Sequence, residues 1–541
     1  MLNFNYNINR FDIAATVGWT GRYENMNNIR VSTNGGLVTE NWFDLNASRY
    51  TPSSTLQRME LLKTGYMGTL SLGWDNYLFL ELTGRQERSS TLKDQSFFYP
   101  SANLSFLFTQ AFHMPSWWNY GKLRLSYGIV GNAPETYTAN IVYEQGSDNG
   151  FTWNTIPSSW GNADIHPEKK YEYEIGLESK FLNNRLGIDI SYYNNRVKDQ
   201  ILSTPQPSTS GVKNVLMNVG EVANRGWDIS ISATPILTRD FRWDLTANYG
   251  VYKNKVVKLA DGVPYLEILN SGGSGIKIQA VEGQPMGDIY AQVPQVNENG
   301  EYLVSDKGLY LNQTELQKVG NINPAGVGGL FNSFSYKNVF LDFSIDFRIG
   351  GDVINEMNQY ATAVGLTPES LKYRDTEHGG LSYYYPGDNN SSGIPVQVDP
   401  STGAGPNGEI IYHDGIILPG VVASTGERNT RIIPAGYYYN TTYNWGTEAE
   451  QLTYRHSVFD NSYVKLRELT IGYQFPEKMI SKLGLGRLSV SVFGRNLFYF
   501  YKALKNYDAE SSVGTSWANQ ATVGSSTTAT RSFGVSLRAS F

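Results

Sequence analysis

The feature that most constrains this chain is a two-residue alternation of greasy and polar side chains, and it is sharpest in residues 171–195, YEYEIGLESKFLNNRLGIDISYYNN. Tyr171, Tyr173, Ile175, Leu177 and Phe181 fall on one side of an extended strand. Glu172, Glu174, Gly176, Glu178 and Lys180 fall on the other, because successive side chains point to opposite faces. The return strand keeps the phase with Leu186, Ile188, Ile190 and Tyr192. Asn183 and Asn184 between the strands tolerate the positive φ of a tight hairpin turn, which sets Leu177 opposite Ile190 and Glu178 opposite Asp189. Like charges directly opposite are unfavourable in a sheet. The carboxylate face is therefore expected to be wet enough to screen them.

The same alternation recurs almost throughout, and helical periodicity is nearly absent. It predicts about fifteen strands: 2–8, 11–20, 58–73, 77–86, 97–112, 122–131, 169–181, 186–202, 215–236, 241–258, 329–336, 339–350, 462–475, 487–498 and 531–541. Short connections at 9–10, 75–76, 113–121, 183–184, 238–240, 337–338 and 476–486 take strict turns with longer ones. The longer ones are 21–57, 87–96, 132–168, 203–214, 259–328, 351–461 and 499–530. A Greek-key sandwich has no reason to sort its connections this way, whereas a membrane barrel has short periplasmic turns on one rim and long external loops on the other. In VFLDFSIDFRIG, Leu341, Phe343, Ile345, Phe347 and Ile349 alternate with Asp342, Ser344, Asp346 and Arg348. About 9–11 residues of tilted strand cross a bilayer. The greasy face is thus expected to meet lipid, with Glu172, Glu174, Asp342 and Asp346 lining a watery lumen. Tyr171, Tyr173 and Tyr192 belong to an aromatic girdle away from the hairpin turn. In YVKLRELTIGYQFP the apolar phase switches between Leu466 and Leu469, which predicts a bulge near Arg467 and Glu468.

Composition agrees with this all-β, transmembrane, antiparallel barrel. Charged residues are 17%, below the roughly 25% of soluble domains, while aromatic residues reach 13% with 37 Tyr. Cysteine is absent, which removes disulfides, thiolate metal sites and cysteine nucleophiles together. A net charge of -6 argues against nucleic-acid partners. No run of about 18 apolar residues exists for a membrane helix. The opening MLNFNYNINR has no apolar signal-peptide core, and an odd strand count starting outside points to an incomplete barrel.

The segments KLRLSYGIVGNAP (122–134), the run from His166 to Leu202 that contains the opening hairpin, NVGEVANRGWDISI (218–231), VGNINPAGVGGLFNSFSYKNVFLDFSIDF (319–347), FDNSYVKLRELTIGYQFP (459–476) and GRNLFYFYKALKNYDAES (494–511) lie in this order along the chain. Together they resemble the SusC/RagA family of TonB-dependent outer-membrane transporters. One departure is Ala509 after Asp508, where the family more often shows proline. The resemblance implies a 22-stranded barrel closed by an N-terminal plug, capped by a SusD-like lipoprotein and driven by TonB-ExbB-ExbD. Residues 1–541 are then expected to be the C-terminal part of such a barrel, without the plug, the TonB box or the first strands, embedded in outer-membrane lipid.

Chemistry-bearing motifs are few. His113, His166, His378, His413 and His456 form no ligand cluster, and SGGSGIK (271–277) lacks the spacing of a phosphate loop. No catalytic residue, resident metal or cofactor is expected. Asp388, Asp399 and Asp414 sit in Gly- and Asn-rich loops, a setting compatible with calcium but without its usual spacing. Aromatic clusters in the long loops, Tyr383, Tyr384, Tyr385, Tyr437, Tyr438 and Tyr439 with Trp153 and Trp160, offer flat faces to sugar rings; Trp445 lies in 351–461 and Trp517 in 499–530. The competing reading is that these rings pack the loops or a lipoprotein partner. The function expected is active import of oligosaccharides, with peptides as the alternative cargo, and with a passive pore or surface scaffold lacking energy coupling, or a soluble carbohydrate-binding β protein, as readings of another class.

Overall fold

The computed structural model describes all residues except 94, 149, 207, 272–274, 388–392, 445–452, 512–515, 524–528 and 541. Asp388, Trp445 and Phe541 therefore lie outside the described residues, as does part of SGGSGIK. Fifteen strands form one antiparallel sheet in chain order. They are β1 (Leu2–Ile8), β2 (Phe11–Leu37), β3 (Ser48–Trp74), β4 (Leu78–Ser89), β5 (Ser96–Phe106), β6 (Trp118–Asn132), β7 (Glu168–Phe181), β8 (Leu186–Lys198), β9 (Glu221–Leu237), β10 (Phe241–Lys258), β11 (Gly326–Tyr336), β12 (Val339–Ile349), β13 (Tyr463–Gln474), β14 (Arg487–Lys502) and β15 (Ser532–Ser540). No described helix is long and apolar enough to cross a membrane. The chain divides into two compact units, Met1–Trp227 with Asn254–Val263, and Asp228–Lys253 with Pro264–Phe541.

In the first unit the hairpin β7–β8 has the expected register, with Leu177 opposite Ile190 and Glu178 opposite Asp189. Its turn carries positive φ at Leu182, Asn183 and Asn184. The order of exposure along β7 is the reverse of a soluble strand: Tyr173, Ile175 and Leu177 are exposed at 45%, 48% and 41%, while Glu172, Glu174 and Glu178 are half-buried. Carboxylates enclosed and aliphatics bare fit a wall with hydrocarbon outside.

Aromatic rings also mark the short-turn rim. Phe11 and Trp74, Trp74 and Tyr77, Tyr77 and Phe106, and Phe106 and Phe112 contact in series. Trp118 then meets Phe108 at 5.3 Å, and Trp117 stacks on Phe181 at 6.0 Å. From Phe181 to Tyr171 the strand advances ~33 Å, or roughly 25 Å along a membrane normal at a barrel's tilt, the height of the apolar band between two girdles.

The acidic pair Glu178 and Asp189 is not left to water. Arg124 of β6 donates to Asp189 through Nη2 at 2.6 Å and Nη1 at 3.2 Å, lies 3.6 Å from Glu178, and donates to Ser191 at 3.1 Å. Gly176 makes this possible, because a Cβ there would stand 2.8 Å from the Arg124 guanidinium. Screening by solvent was the sequence expectation; a neighbouring strand supplies the counter-charge instead.

Some strands depart from their expected bounds. β2 and β3 each run 27 residues, far more than a crossing needs, so the expected loop 21–57 is largely a two-stranded ribbon paired as far as Leu37 and Ser48. The expected strand 186–202 breaks at Asp199, with φ 56°, and 215–236 breaks at Gly220, with φ 88°. The pieces Ile201–Pro205 and Asn214–Asn218 join Ser159–Trp160 in a separate small sheet.

In the second unit β13 carries the expected bulge. Ser344 faces Glu468 and Ile345 faces Leu466, so Arg467 is the extra residue. The long connections fold into subdomains rather than lying open. Residues Tyr265–Ser271, Ile276–Val281, Asp288–Ala291 and Gln317–Asn321 form a four-stranded sheet. Ile276, Ile278 and Ile289 of that sheet are fully buried against Ile354, Tyr454, Val458, Ala518 and Ala521, which come from two other connections. Leu381–Tyr384, Val396–Gln397, Tyr412–Ile416 and Ile433–Pro434 form a second sheet, flanked by helices α1 (Glu356–Ala363) and α2 (Ala435–Tyr443).

Candidate functional site: a polar cleft in the longest connection

Residues 351–461 build a cleft of about 320 Å³ between α1, α2 and the loop sheet. The end of α1 supplies Thr362, Ala363, Val364 and Gly365; Ser370 and Arg374 follow; Asp414 comes from the sheet, and Ala435, Gly436, Tyr439 and Asn440 from α2. The small residues leave the space, and the polar ones converge on it. Asn355 caps α1 by accepting from the Asn358 amide at 3.0 Å. Gly365, at φ 82°, ends the helical turn in the left-handed region, and a side chain there would collide with Arg374 at 2.7 Å. Arg374 is exposed and forms no salt bridge among the described residues. Asp414 accepts from the Tyr383 hydroxyl at 3.1 Å. The Tyr439 hydroxyl donates to the Glu369 carbonyl at 2.8 Å, and its phenol is pushed up to about 12, chiefly by burial and next by Tyr443. These groups offer one cation, one anion, an amide and hydroxyls, a set that can exchange hydrogen bonds with a polyhydroxylated or zwitterionic ligand.

The aromatic residues singled out in the sequence take different stations. Tyr383 is 1% exposed and Tyr385 4% exposed, packed with Tyr412 and Ile432 inside the loop sheet. Burial and Asp414 push the Tyr383 phenol up. Tyr439 is buried but lines the cleft, whereas Tyr437 and Tyr438 pack on Leu309, Ile416 and Leu418. Tyr384 is half-buried, pairing with Val396. In the first unit Trp153 is 46% exposed in the middle of the hairpin strand Phe151–Thr155, opposite Gly146, and Trp160 meets Tyr143 edge-on at 5.8 Å. Among the six tyrosines, then, Tyr439 alone lines the cleft, and Tyr383 serves it from behind through Asp414. Arg374 and Asn440 carried no pattern in the sequence, because their proximity depends on how the loop folds.

The four wall carboxylates are all on the polar face, and three are bonded there. Glu172 pairs with Lys170 at 2.5 Å and accepts from Asn195 at 3.2 Å. Asp342 accepts from Ser333 at 2.6 Å. Asp346 is bound by the bulge residue Arg467. Glu174 sits between Ser126 and Tyr193 on the neighbouring strands. Of the loop aspartates, Asp399 accepts from Ser401 N at 2.9 Å and Oγ at 2.5 Å, and Asp414 is engaged by Tyr383.

Bare aliphatic faces, an aromatic short-turn rim and folded long connections fit a wall of an outer-membrane β-barrel. Comparison with known proteins is consistent with that class. Residues 2–294 match the family model described as TonB dependent receptor-like, beta-barrel, and the chain belongs to that family. The TonB-dependent receptor P3 of Formosa agariphila is 24% identical over 494 residues, 83% of this chain and 42% of the relative. The TonB-dependent receptor SusC of Bacteroides thetaiotaomicron is 30% identical over 247 residues, 42% of this chain and 24% of the relative. Among solved structures, the RagAB peptide transporter superposes with a TM-score of 0.67 at 17% identity, over 94% of this chain and 52% of that one. That likeness shows a shared fold. The chain spans about half, or less, of the length of these relatives.

Proposed function

We propose that the receptor carrying this barrel is an active importer of oligosaccharides across the outer membrane, of SusC type, working with a SusD-like lipoprotein and drawing energy from TonB-ExbB-ExbD. The observation that carries the cargo assignment is the cleft. Arg374, Asp414, Asn440, Ser370 and Thr362 offer both donors and acceptors around a lining of small residues, with the Tyr439 ring at the wall. Sugar hydroxyls each need both roles, and a ring face needs an apolar counterpart. The family relationship supports the transporter class, and the half-buried carboxylates of β7 and β12 support a hydrated path beside the wall. Import needs no bond made or broken in the cargo, so binding geometry and release are the whole of the chemistry.

The test is calorimetric titration of the full-length receptor with its lipoprotein against glycans and peptides. Glycan binding that weakens tenfold or more in Arg374→Ala or Asn440→Ala supports the assignment. Tight peptide binding without a glycan signal reverses the cargo. Growth on the cargo that persists without TonB would favour a passive pore.

A further inference from the structure

The bulge at Arg467 places charge where a regular strand would not, and the consequence runs from the barrel wall to the cleft. The Arg467 guanidinium binds Asp346 of β12 through Nε at 2.7 Å, Asn496 of β14 at 2.9 Å, and Glu510 through two nitrogens at 2.8 and 2.5 Å. Lys465, 1% exposed, donates to the same Glu510 at 2.5 Å while its ammonium lies 4.8 Å from the Tyr499 ring centroid. Glu510 belongs to the connection after β14. Its neighbours are tied as well: Lys502 donates to the Tyr507 carbonyl at 2.6 Å, Tyr499 to Asp508 at 2.9 Å, and Asn461 to the Ala509 carbonyl at 2.9 Å. Four consecutive residues, 507–510, are thus strapped onto the polar face of β13 and β14. The strap continues outward. Asn506 donates to Asn358 of α1 at 2.9 Å and to Glu369 at 3.4 Å, while Leu504 and Tyr507 pack on Val353 and Phe459. Glu369 is also the acceptor for Tyr439, and α1 ends in the cleft residues Thr362 and Ala363.

We propose that Arg467, Lys465 and Glu510 form an ionic clasp that positions the cleft relative to the polar face of β13 and β14, with the strap 506–510 as the connecting link. The two cations and two carboxylates balance in charge. Removing Arg467 leaves Asp346 without its counter-charge, and removing Glu510 leaves the buried Lys465 without one. Arg467 suits the post because only a guanidinium binds two carboxylates at once in fixed directions. These are positioning residues; they touch no cargo. The proposal rests on the cleft as the binding site, but its mechanical content does not require cargo.

The experiment is hydrogen-exchange mass spectrometry on the full-length receptor with its lipoprotein, comparing the natural protein with Arg467→Gln, Glu510→Gln, their combination and Arg467→Lys. Either single change is expected to speed exchange tenfold or more in 503–511 and in 356–374, with β13 and β14 still protected. The combination adds little beyond either one, because both break the same unit. Arg467→Lys, with one compact charge for two carboxylates, gives an intermediate effect. Unchanged exchange in 503–511 overturns the clasp, and faster exchange there without any change in 356–374 overturns the link to the cleft. Should Arg467→Gln fail to assemble, Glu510→Gln, in a loop, carries the same comparison. Since no cargo is present, a failed glycan titration bears on the cargo assignment alone.

Discussion

Replacing Ile175 by arginine turns the orientation of the wall into a free energy. Ile175 is 48% exposed and stands four residues from Tyr171 and six from Phe181, near the middle of the strand. If that face meets hydrocarbon, arginine there costs about 2–4 kcal/mol, a shift of about 30- to 700-fold in the folding equilibrium. If it meets water, a substitution on an exposed strand stays within about 0.5 kcal/mol. Glu174→Gln, one residue away on the polar face, is the control and is expected within about 0.5 kcal/mol in either case. The assay is urea unfolding of the receptor reconstituted in lipid vesicles, followed by tryptophan fluorescence. An Ile175→Arg receptor as stable as the parent would refute the assignment of this face to lipid.

Other expectations follow from single contacts. Arg124→Met leaves Glu178 and Asp189 facing one another and should cost about 1–3 kcal/mol; adding Asp189→Asn should restore much of it, which vesicle unfolding measures. Tyr383→Phe removes the donor to Asp414 and should cost about 1 kcal/mol of loop stability, with weaker cargo binding in the same calorimetric titration. Burial alone would raise the Glu510 carboxyl, but hydrogen bonds from Arg467 and Lys465 outweigh it and hold the group down at about 2. A carboxyl held below its unfolded value stabilises fully above the ordinary glutamate pKa of about 4.3 and loses that contribution as pH falls toward 2. The strap is therefore expected to resist protease nicking at pH 5 and to loosen between about pH 4 and 2, and Glu510→Gln should abolish the dependence.

What the sequence made legible were the relationships that depend on near neighbours. Period-two alternation located fifteen strands, Asn183 and Asn184 fixed the register of β7 and β8, and the phase change around Arg467 marked a bulge. What stayed hidden depends on distant partners. Nothing in YEYEIGLES shows that Gly176 is a gap for an arginine from β6. Residues 21–57 look like a loop because a free-standing ribbon buries little on either face and so carries no strong pattern. Tyr383, Tyr384 and Tyr385 read as an aromatic patch, but Tyr383 and Tyr385, near and just past the end of a loop strand, are buried against Tyr412 and Ile432, partners that come from distant parts of the loop. Arg374 and Asn440 meet only because α1 and α2 pack together, and no local spacing encodes that.

This chain carries no cysteine of its own, so within it each introduced cysteine is the single labelling site. Single cysteines at 172–178 and at 533–537, each spin-labelled in the receptor reconstituted in lipid, report accessibility to oxygen, which concentrates in hydrocarbon, and to a water-soluble nickel complex. Labels at 173, 175, 177, 533, 535 and 537 should favour oxygen, and those at 172, 174 and 178 the nickel complex. Equal shielding of both sets from both reagents, or the opposite alternation, would contradict a wall with lipid outside and water within.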